Sequence, residues 1–328
     1  MTSLTLTCIG RQQNTHDVVS WQLVPFSGSL TPVLAGQCIT LHTEIDGQPH
    51  CRAYTLSSSP QDACWQVTIK DVGQVSRHLH QTLQVGDEIR ADGPFGDFNL
   101  TALPCERPLL LSAGSGITPM WAMLRDELAK RPDADIRFIH SARSPADVIF
   151  ADELATLAAA HSGVRHALIL EEAPADHPWI GRLTPAMLAE LAPDLRERHV
   201  YLCGPAPYMA AVKTMLAELG LPQEQLHQES FGLPPAEPAT TSDHFWLTLK
   251  KSGKKVKILP GQTLLAALEA AGETIMAACR AGVCGSCRCT TTGDIERQSV
   301  MTLSAQDLES GVALACSCTA KGDISLDY

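Results

Sequence analysis

Six of the 12 cysteines fall between Cys279 and Cys318, and four of those six are spaced for metal chemistry. In Cys279-Arg-Ala-Gly-Val-Cys284-Gly-Ser-Cys287 the thiols are separated by four and then two residues, and Cys316 follows after a further 28. That is the spacing of plant-type [2Fe-2S] ligation, in which one tightly turned loop offers three thiolates to two irons and a distant cysteine completes the set. Ala281, Gly282, Gly285 and Ser286 are small enough to let backbone amides reach the sulfurs and tune the potential. A structural zinc site is arithmetically possible through the pairs Cys287/Cys289 and Cys316/Cys318, but zinc sites usually show two paired knuckles. Cys289 and Cys318 sit two residues beyond a ligand and are expected as packed thiols.

A second group of residues could hold a nucleotide. Gly114-Ser115-Gly116-Ile117-Thr118-Pro119 stands between an apolar strand and a helical run, where glycines let a phosphate approach the backbone and the positive end of a helix. Pro119 replaces the third glycine of the dinucleotide fingerprint, so this loop alone is weak. A second turn, Cys203-Gly204-Pro205, ends a later strand at the same edge, where such sheets bind ligands. Arg143 follows the second strand, where a ribose or its 2′-phosphate would lie, which leaves NADH and NADPH both open. In Arg52-Ala53-Tyr54-Thr55-Leu56-Ser57-Ser58, strand alternation would align Arg52, Tyr54 and Ser58, a guanidinium, an aromatic ring and a hydroxyl suited to a phosphate-bearing ligand. Gly73-Gln-Val-Ser76 and Gly93-Pro94-Phe95-Gly96-Asp97-Phe98 are bland in isolation, and His78 and His80, alternating on one segment, read as surface histidines with a place beside a flavin as the alternative.

These groups need elements to carry them. At 328 residues, with 45% hydrophobic and 19% charged, the chain is long enough for two or three domains. Short alternating segments fill residues 1–102 and suggest a small antiparallel barrel. Strands alternating with helices follow over 103–232, which means a doubly wound parallel sheet. Three prolines mark residues 233–242 as a linker, and 243–328 form a cysteine-bearing module in which Thr263 caps a helix ending at Gly272. The net charge of -11 resides wholly in residues 1–242, and it disfavours general nucleic-acid binding. No apolar run is long enough for a bilayer and no secretory signal is visible, so the cytoplasm is the expected compartment.

The order of these runs, with Arg52-x-Tyr54-Thr55, Gly73-x-x-Ser76, Gly93-Pro94-x-Gly96-x-Phe98, Gly114-x-Gly116-x-x-Pro119, Cys203-Gly204-Pro205 and the cysteine loop in succession, resembles the ferredoxin-reductase family with a C-terminal ferredoxin domain. The resemblance implies an FAD-binding β-barrel, an NAD(P)-binding α/β domain and a β-grasp ferredoxin domain, using FAD, NADH and a [2Fe-2S] cluster. Arg52 would hold a flavin phosphate, Tyr54 would lie against the isoalloxazine, Thr55 would sit near its N5, and Ala53 between them would belong to the cofactor site. Gly73, Val75 and Ser76 would meet the pyrophosphate. Gly114, Gly116, Thr118, Pro119, Gly204 and Pro205 would border the nicotinamide nucleotide, with Cys203 near the hydride path. Glu229 and Phe231 would return to the flavin edge, and Cys279, Cys284, Cys287 and Cys316 would hold the cluster.

The chemistry explains why three modules share one chain. NADH gives electrons as a pair and an iron-sulfur cluster takes them singly, so a flavin must stand between. The runs Val148-Ile-Phe-Ala-Asp-Glu153, Gly181-Arg-Leu-Thr184 and Leu314-Ala-Cys-Ser-Cys318 are similar to the branch of the family that serves the hybrid-cluster protein, which makes that protein or another redox acceptor the expected partner. The alternatives are the reductase component of a multicomponent oxygenase and, from another class, a zinc-stabilised nucleotide sensor without turnover.

Overall fold

The computed structural model of the protein describes residues 3–231, 244–273, 275–278, 280, 282, 284–299 and 302–328. The expected linker at 233–242, and Cys279, therefore lie outside the described residues. The chain divides into two compact units, residues 1–39 with 54–230 and residues 40–53 with 231–328.

Six strands build the first sheet: β1 (Ser3–Thr15), β2 (Val18–Pro25), β3 (Cys38–Ile45), β4 (Gln48–Thr55), β5 (Trp65–Lys70) and β6 (Glu88–Phe95), with α1 (Gln74–Thr82) between the last two. Their order is β4-β3-β6-β1-β2-β5. Leu56, just past β4, bridges to Val67 of β5, so the two edges meet and the sheet closes as a barrel. Leu6, Trp21, Ile39 and Val67 are buried. Sequence reading missed β1, which runs through Gly10 and a polar tail by absorbing two bulges, between Cys8 and Gly10 and between Gln13 and Thr15. It also missed α1, whose buried side chains are only Val75, Ser76 and Leu79.

The second sheet is parallel, with β7 (Pro108–Ala113), α2 (Ile117–Lys130), β8 (Ile136–Ala142), α3 (Ala151–Ala160), β9 (Val164–Leu170), α4 (Pro185–Leu191), β10 (His199–Cys203), α5 (Ala206–Glu218) and β11 (Leu226–Glu229) in chain order. Its strand order is β11-β10-β7-β8-β9. The chain steps outward from β7 to β9 and then returns to the other side of β7, which creates a switch point between the carboxyl ends of β7 and β10. Both faces of β7 are buried: Leu110 belongs to one core with Phe138 and Tyr201, and Leu109 and Leu111 to another with Val200 and Leu202. α3 begins only at Ala151. Ser144 bonds the Asp147 carboxylate at 2.6 Å in a short 3-10 turn, and Phe150 takes a left-handed φ of 61°. At the opposite end of the sheet Arg198 is fully buried, and its guanidinium reaches Asp135 at 2.7 Å and Asp194 at 2.8 Å.

The second unit holds β12 (Phe245–Leu249), β13 (Lys255–Ile258), α6 (Leu264–Ala270), β14 (Arg288–Thr292), β15 (Ile295–Arg297), α7 (Ala305–Glu309), β16 (Val312–Leu314), β17 (Cys318–Ala320) and β18 (Ile324–Asp327). A five-stranded mixed sheet runs β13-β12-β18-β14-β16, with β12 and β18 parallel and the helix α6 sharing its apolar core. This is the β-grasp arrangement. The Thr263 hydroxyl accepts the Ala266 N–H at 3.2 Å, and Gly272 takes a φ of 76° just past the helix, both as the sequence predicts. Among the described residues, no helix is long and apolar enough to cross a membrane.

Candidate functional site

At the switch point the two predicted turns lie against each other. Gly114 ends β7 with a φ of 52°, and Gly116 opens α2. A β-carbon on Gly116 would come within 2.7 Å of the Gly204 nitrogen, and one on Gly204 would stand 3.3 Å from the backbone nitrogen of Ala113. Glycine at Gly116 is therefore a packing requirement, while a β-carbon at Gly204 would press chiefly on the Tyr208 ring, at 2.8 Å. Thr118 spends its hydroxyl on the Ser115 carbonyl at 3.1 Å, and Pro119 lies buried in the first turn of α2. Pro205 caps α5.

Beside these turns opens a cleft of about 480 Å³ lined by Gly114, Ser141, Arg143, Arg182, Pro205 and Tyr208 among others. It brings Arg143 to the same site as the glycine turns, as its position after β8 implied. Sequence reading did not single out Ser141, Arg182 or Tyr208. Arg182 lies 3.3 Å from Glu171, and the buried Tyr208 hydroxyl carries no hydrogen bond within normal geometry, although Ser141 is its neighbour. Their signal lay in chain position, at the carboxyl end of β8 for Ser141 and past the carboxyl ends of β9 and β10 for Arg182 and Tyr208.

Cys203 is fully buried at the end of β10, paired with Ser112 of β7 and Glu229 of β11. Burial and the Glu229 carboxylate push its thiol pKa well up, so it is protonated at neutral pH. Phe231 follows β11 with its ring exposed.

The barrel residues are arranged differently from expectation in two details. β4 stops at Thr55, so Ser58 does not align with Arg52 and Tyr54; its hydroxyl instead accepts the Gln66 N–H at 3.0 Å. Ser76 was expected to face a pyrophosphate with its hydroxyl or amide. Its hydroxyl is taken up by its own loop, accepting from Gly73 N–H at 2.9 Å and Val72 N–H at 3.0 Å and donating to the Gly73 carbonyl at 3.0 Å. What α1 leaves available is the positive end of its first turn, at Val75 and Ser76. Thr55 is buried, Tyr54 half-buried, and the Arg52 guanidinium bonds the Cys51 carbonyl at 2.7 Å. The unit boundary falls between Ala53 and Tyr54. His80 bonds the Ile69 carbonyl at 2.9 Å, which accounts for it structurally.

In the second unit Cys284, Cys287 and Cys316 are buried. The Gly282 N–H points to Cys316 Sγ at 3.2 Å, the Cys316 N–H to Cys287 Sγ at 3.5 Å, and the Ser286 hydroxyl lies 3.1 Å from Cys284 Sγ. Gly282, at a φ of 76°, is wedged where a β-carbon would meet Ser299 Cβ at 2.6 Å and Ser317 Cβ at 2.8 Å. Donors aimed at sulfur suit thiolates that carry a shared negative charge, so this loop fits an iron-sulfur cluster. Among the described residues the three thiols do not by themselves close a metal cage, and the fourth predicted ligand, Cys279, is outside that set. Cys289 is a packed thiol whose pKa is pushed up to about 12 by burial and then by Cys318 and Cys287, and Cys318 is likewise buried.

Known proteins match in the same order. Residues 12–100 match the oxidoreductase FAD-binding domain, 110–214 the oxidoreductase NAD-binding domain, and 247–321 the 2Fe-2S iron-sulfur cluster binding domain. A glycine betaine monooxygenase reductase subunit of Pseudomonas aeruginosa is 35% identical over 98% of this chain and 94% of its own length. The chain belongs to the ferredoxin-reductase family. This reductase is also 36% identical to the NADH oxidoreductase HCR of Escherichia coli, over 91% of this chain and 89% of that one. Its fold is shared with phthalate dioxygenase reductase, at 23% identity and a TM-score of 0.63, covering 99% and 98% of the two chains. It is an oxidoreductase of FAD, NAD and a 2Fe-2S cluster, and the zinc alternative gives way to the iron-sulfur reading.

Proposed function

We propose that this reductase takes electrons from NADH and delivers them one at a time to the oxygenase component of a multicomponent monooxygenase. A flavin held by the first domain would supply the conversion of paired into single electrons between NADH and the cluster. The observation that carries the reading is the presence on one chain of a nucleotide turn at a sheet switch point and a nest of buried, amide-facing thiols. The near full-length likeness to a monooxygenase reductase subunit supports the oxygenase as acceptor.

In this reading residues 1–102 hold FAD, 103–232 hold the nicotinamide nucleotide and 243–328 hold the cluster. Arg52, Ala53, Tyr54 and Thr55 bind and orient the flavin, with the first turn of α1 at Gly73, Val75 and Ser76 toward its pyrophosphate. Gly114, Gly116, Thr118, Pro119, Gly204 and Pro205 set the nicotinamide, Arg143 meets the adenosine ribose, and Cys203 borders the hydride path, with Glu229 and Phe231 at the flavin edge. Cys279, Cys284, Cys287 and Cys316 ligate the irons.

A second reading, with the hybrid-cluster protein as acceptor, is supported by the HCR relative. The test is anaerobic: NADH-reduced protein is mixed with a purified glycine betaine monooxygenase oxygenase component or with purified hybrid-cluster protein, and acceptor reduction is followed by absorbance. Faster reduction of the oxygenase is expected. Preference for the hybrid-cluster protein would reverse the assignment.

A further inference from the structure

The loop joining β4 to β5 reaches out of the barrel and fastens onto α2. Asp62 and Arg125, 63 residues apart in sequence, form a two-pronged ion pair: Arg125 Nη1 donates to Asp62 Oδ2 at 2.7 Å, and Nη2 donates to Oδ1 at 2.8 Å. Beside that pair, Gln61 Nε2 donates to the buried carboxylate of Asp126 at 2.9 Å. The Ser59 hydroxyl occupies Gln61 Oε1, so the amide presents its N–H side to the helix. Lys130 takes the other Asp126 oxygen at 2.7 Å. None of these residues lines the nucleotide cleft, and no step described so far uses them.

Both ends of the link are stiff. On the barrel side, the Ser57 N–H donates to the Gln66 carbonyl at 2.8 Å, and the Ser58 hydroxyl accepts from the Gln66 N–H at 3.0 Å. The loop then turns back on itself, with the Ser59 N–H donating to Asp62 Oδ2 at 2.9 Å. On the helix side, the Arg125 guanidinium lies 5.7 Å from the centre of the Trp121 ring, which stacks on Phe150 at 5.3 Å. Gly116 caps the same helix. At the helical rise per residue it stands about 13 Å from Arg125 along the axis. The other contact between barrel and helix is apolar, with Val18, Ala35 and Phe98 in one core with Met120 and Met123. Apolar burial is non-directional, so it holds the two together without fixing an angle. A planar guanidinium forked onto a carboxylate does fix one.

We propose that residues 57–64 clamp α2 at a set angle to the barrel, with Asp62 and Arg125 as positioning residues for hydride transfer. The strand before the clamp carries Tyr54 and Thr55, which orient the flavin in the reading above. The helix it grips starts at the turn of Gly114 and Gly116, which sets the nicotinamide in the same reading. Tilting α2 by about 5° at Arg125 would move that turn by about 1 Å. A displacement of that size is enough to slow a positioned reaction about 100-fold. The clamp makes and breaks no covalent bond and touches no reacting atom. Both of its charged side chains are only half-buried, and pairs of that kind contribute little to stability, so its loss should leave the fold intact. The inference rests on the assignment of those two cofactor sites.

The test uses full-length protein with its FAD and cluster. Stopped flow reads the limiting rate of flavin reduction by NADH, the NADH dissociation constant and the isotope effect with C4-deuterated NADH. Arg125→Gln and Asp62→Ala are each expected to lower the limiting rate about tenfold, with NADH affinity within about twofold and the isotope effect kept. The double variant should be no slower than either single one, because both break the same link. Arg125→Lys keeps the charge without the fork and should recover part of the rate. A wild-type limiting rate in Arg125→Gln overturns the proposal. So do single effects that multiply in the double variant, or a slowing matched by an equal loss of NADH affinity. If Asp62→Ala disturbs its loop enough to lose flavin, Arg125→Gln and Arg125→Lys carry the test. Unchanged flavin reduction in Gly116→Ala would instead remove the assignment of the nicotinamide turn, an outcome distinct from all of these.

Discussion

A β-carbon on Gly116 would stand 2.5 Å from the carbonyl carbon of Cys203. The start of α2 and the end of β10 are thus in backbone contact, and everything bound at the switch point meets both at once. Gly116→Ala forces them apart at an overpacking cost of about 1–3 kcal/mol. The expected result is full retention of flavin and cluster absorbance per chain with NADH-driven flavin reduction slowed by up to roughly 100-fold. Unchanged stopped-flow traces would show that the contact does not shape the nucleotide site.

Much of this arrangement was legible in the sequence. The β7 to α2 turn announces itself because a buried apolar strand, two glycines and a long helix follow one another, and the cysteine loop because its spacing has few other uses. The surroundings of Cys203 were not legible: Ser112 and Glu229 are far apart in sequence and meet it only through parallel register. The strand β1 was hidden because its bulges break alternation, and α1 because it buries so little apolar surface. Ser76 has a residue type suited to a ligand but spends its hydroxyl on local backbone, which no spacing rule could reveal.

The Arg198 cluster predicts an acid limit to stability. Hydrogen bonds from Arg198, opposed by burial and reinforced by Arg137, hold the Asp194 carboxyl well below the usual carboxylate range. A carboxyl with a depressed folded-state pKa stabilises fully above its unfolded value and loses that contribution as pH falls from about 4 downward. Urea midpoints should therefore fall as pH is lowered below about 4. Asp194→Asn should lose about 3 kcal/mol at neutral pH, the lower end for breaking a buried pair because Asp135 still faces the guanidinium, and should show a shallower acid loss.

Arg143 stands exposed beside the cleft, just past β8. Arg143→Ala is expected to raise KM for NADH by a few-fold with kcat retained, and to depress NADPH turnover more, since a 2′-phosphate adds charge for a guanidinium to meet. Parallel steady-state assays with both nucleotides check this; equal losses would place Arg143 away from the ribose.

The hairpin between β12 and β13 carries Lys250, Lys251, Lys254, Lys255 and Lys257. Lys254 is engaged by Glu273 at 2.7 Å, while Lys250, Lys255 and Lys257 are exposed. Replacing these three by Gln should slow acceptor reduction at low salt and leave the rate at saturating acceptor unchanged, because rim charges act on encounter. An unaltered salt dependence in stopped-flow assays would exclude the hairpin from docking.

Pairs of electrons from NADH are expected to leave this chain singly, through iron held by its cysteines. Anaerobic titration of the purified protein with NADH, followed by visible absorbance and electron paramagnetic resonance, tests it most directly. Flavin absorbance is expected to bleach with a reduced [2Fe-2S] signal developing alongside it, and Cys287→Ser to abolish the signal while flavin still bleaches. A protein whose flavin bleaches fully while no iron-sulfur signal appears at any NADH level, with a chemically verified cluster present, would contradict it.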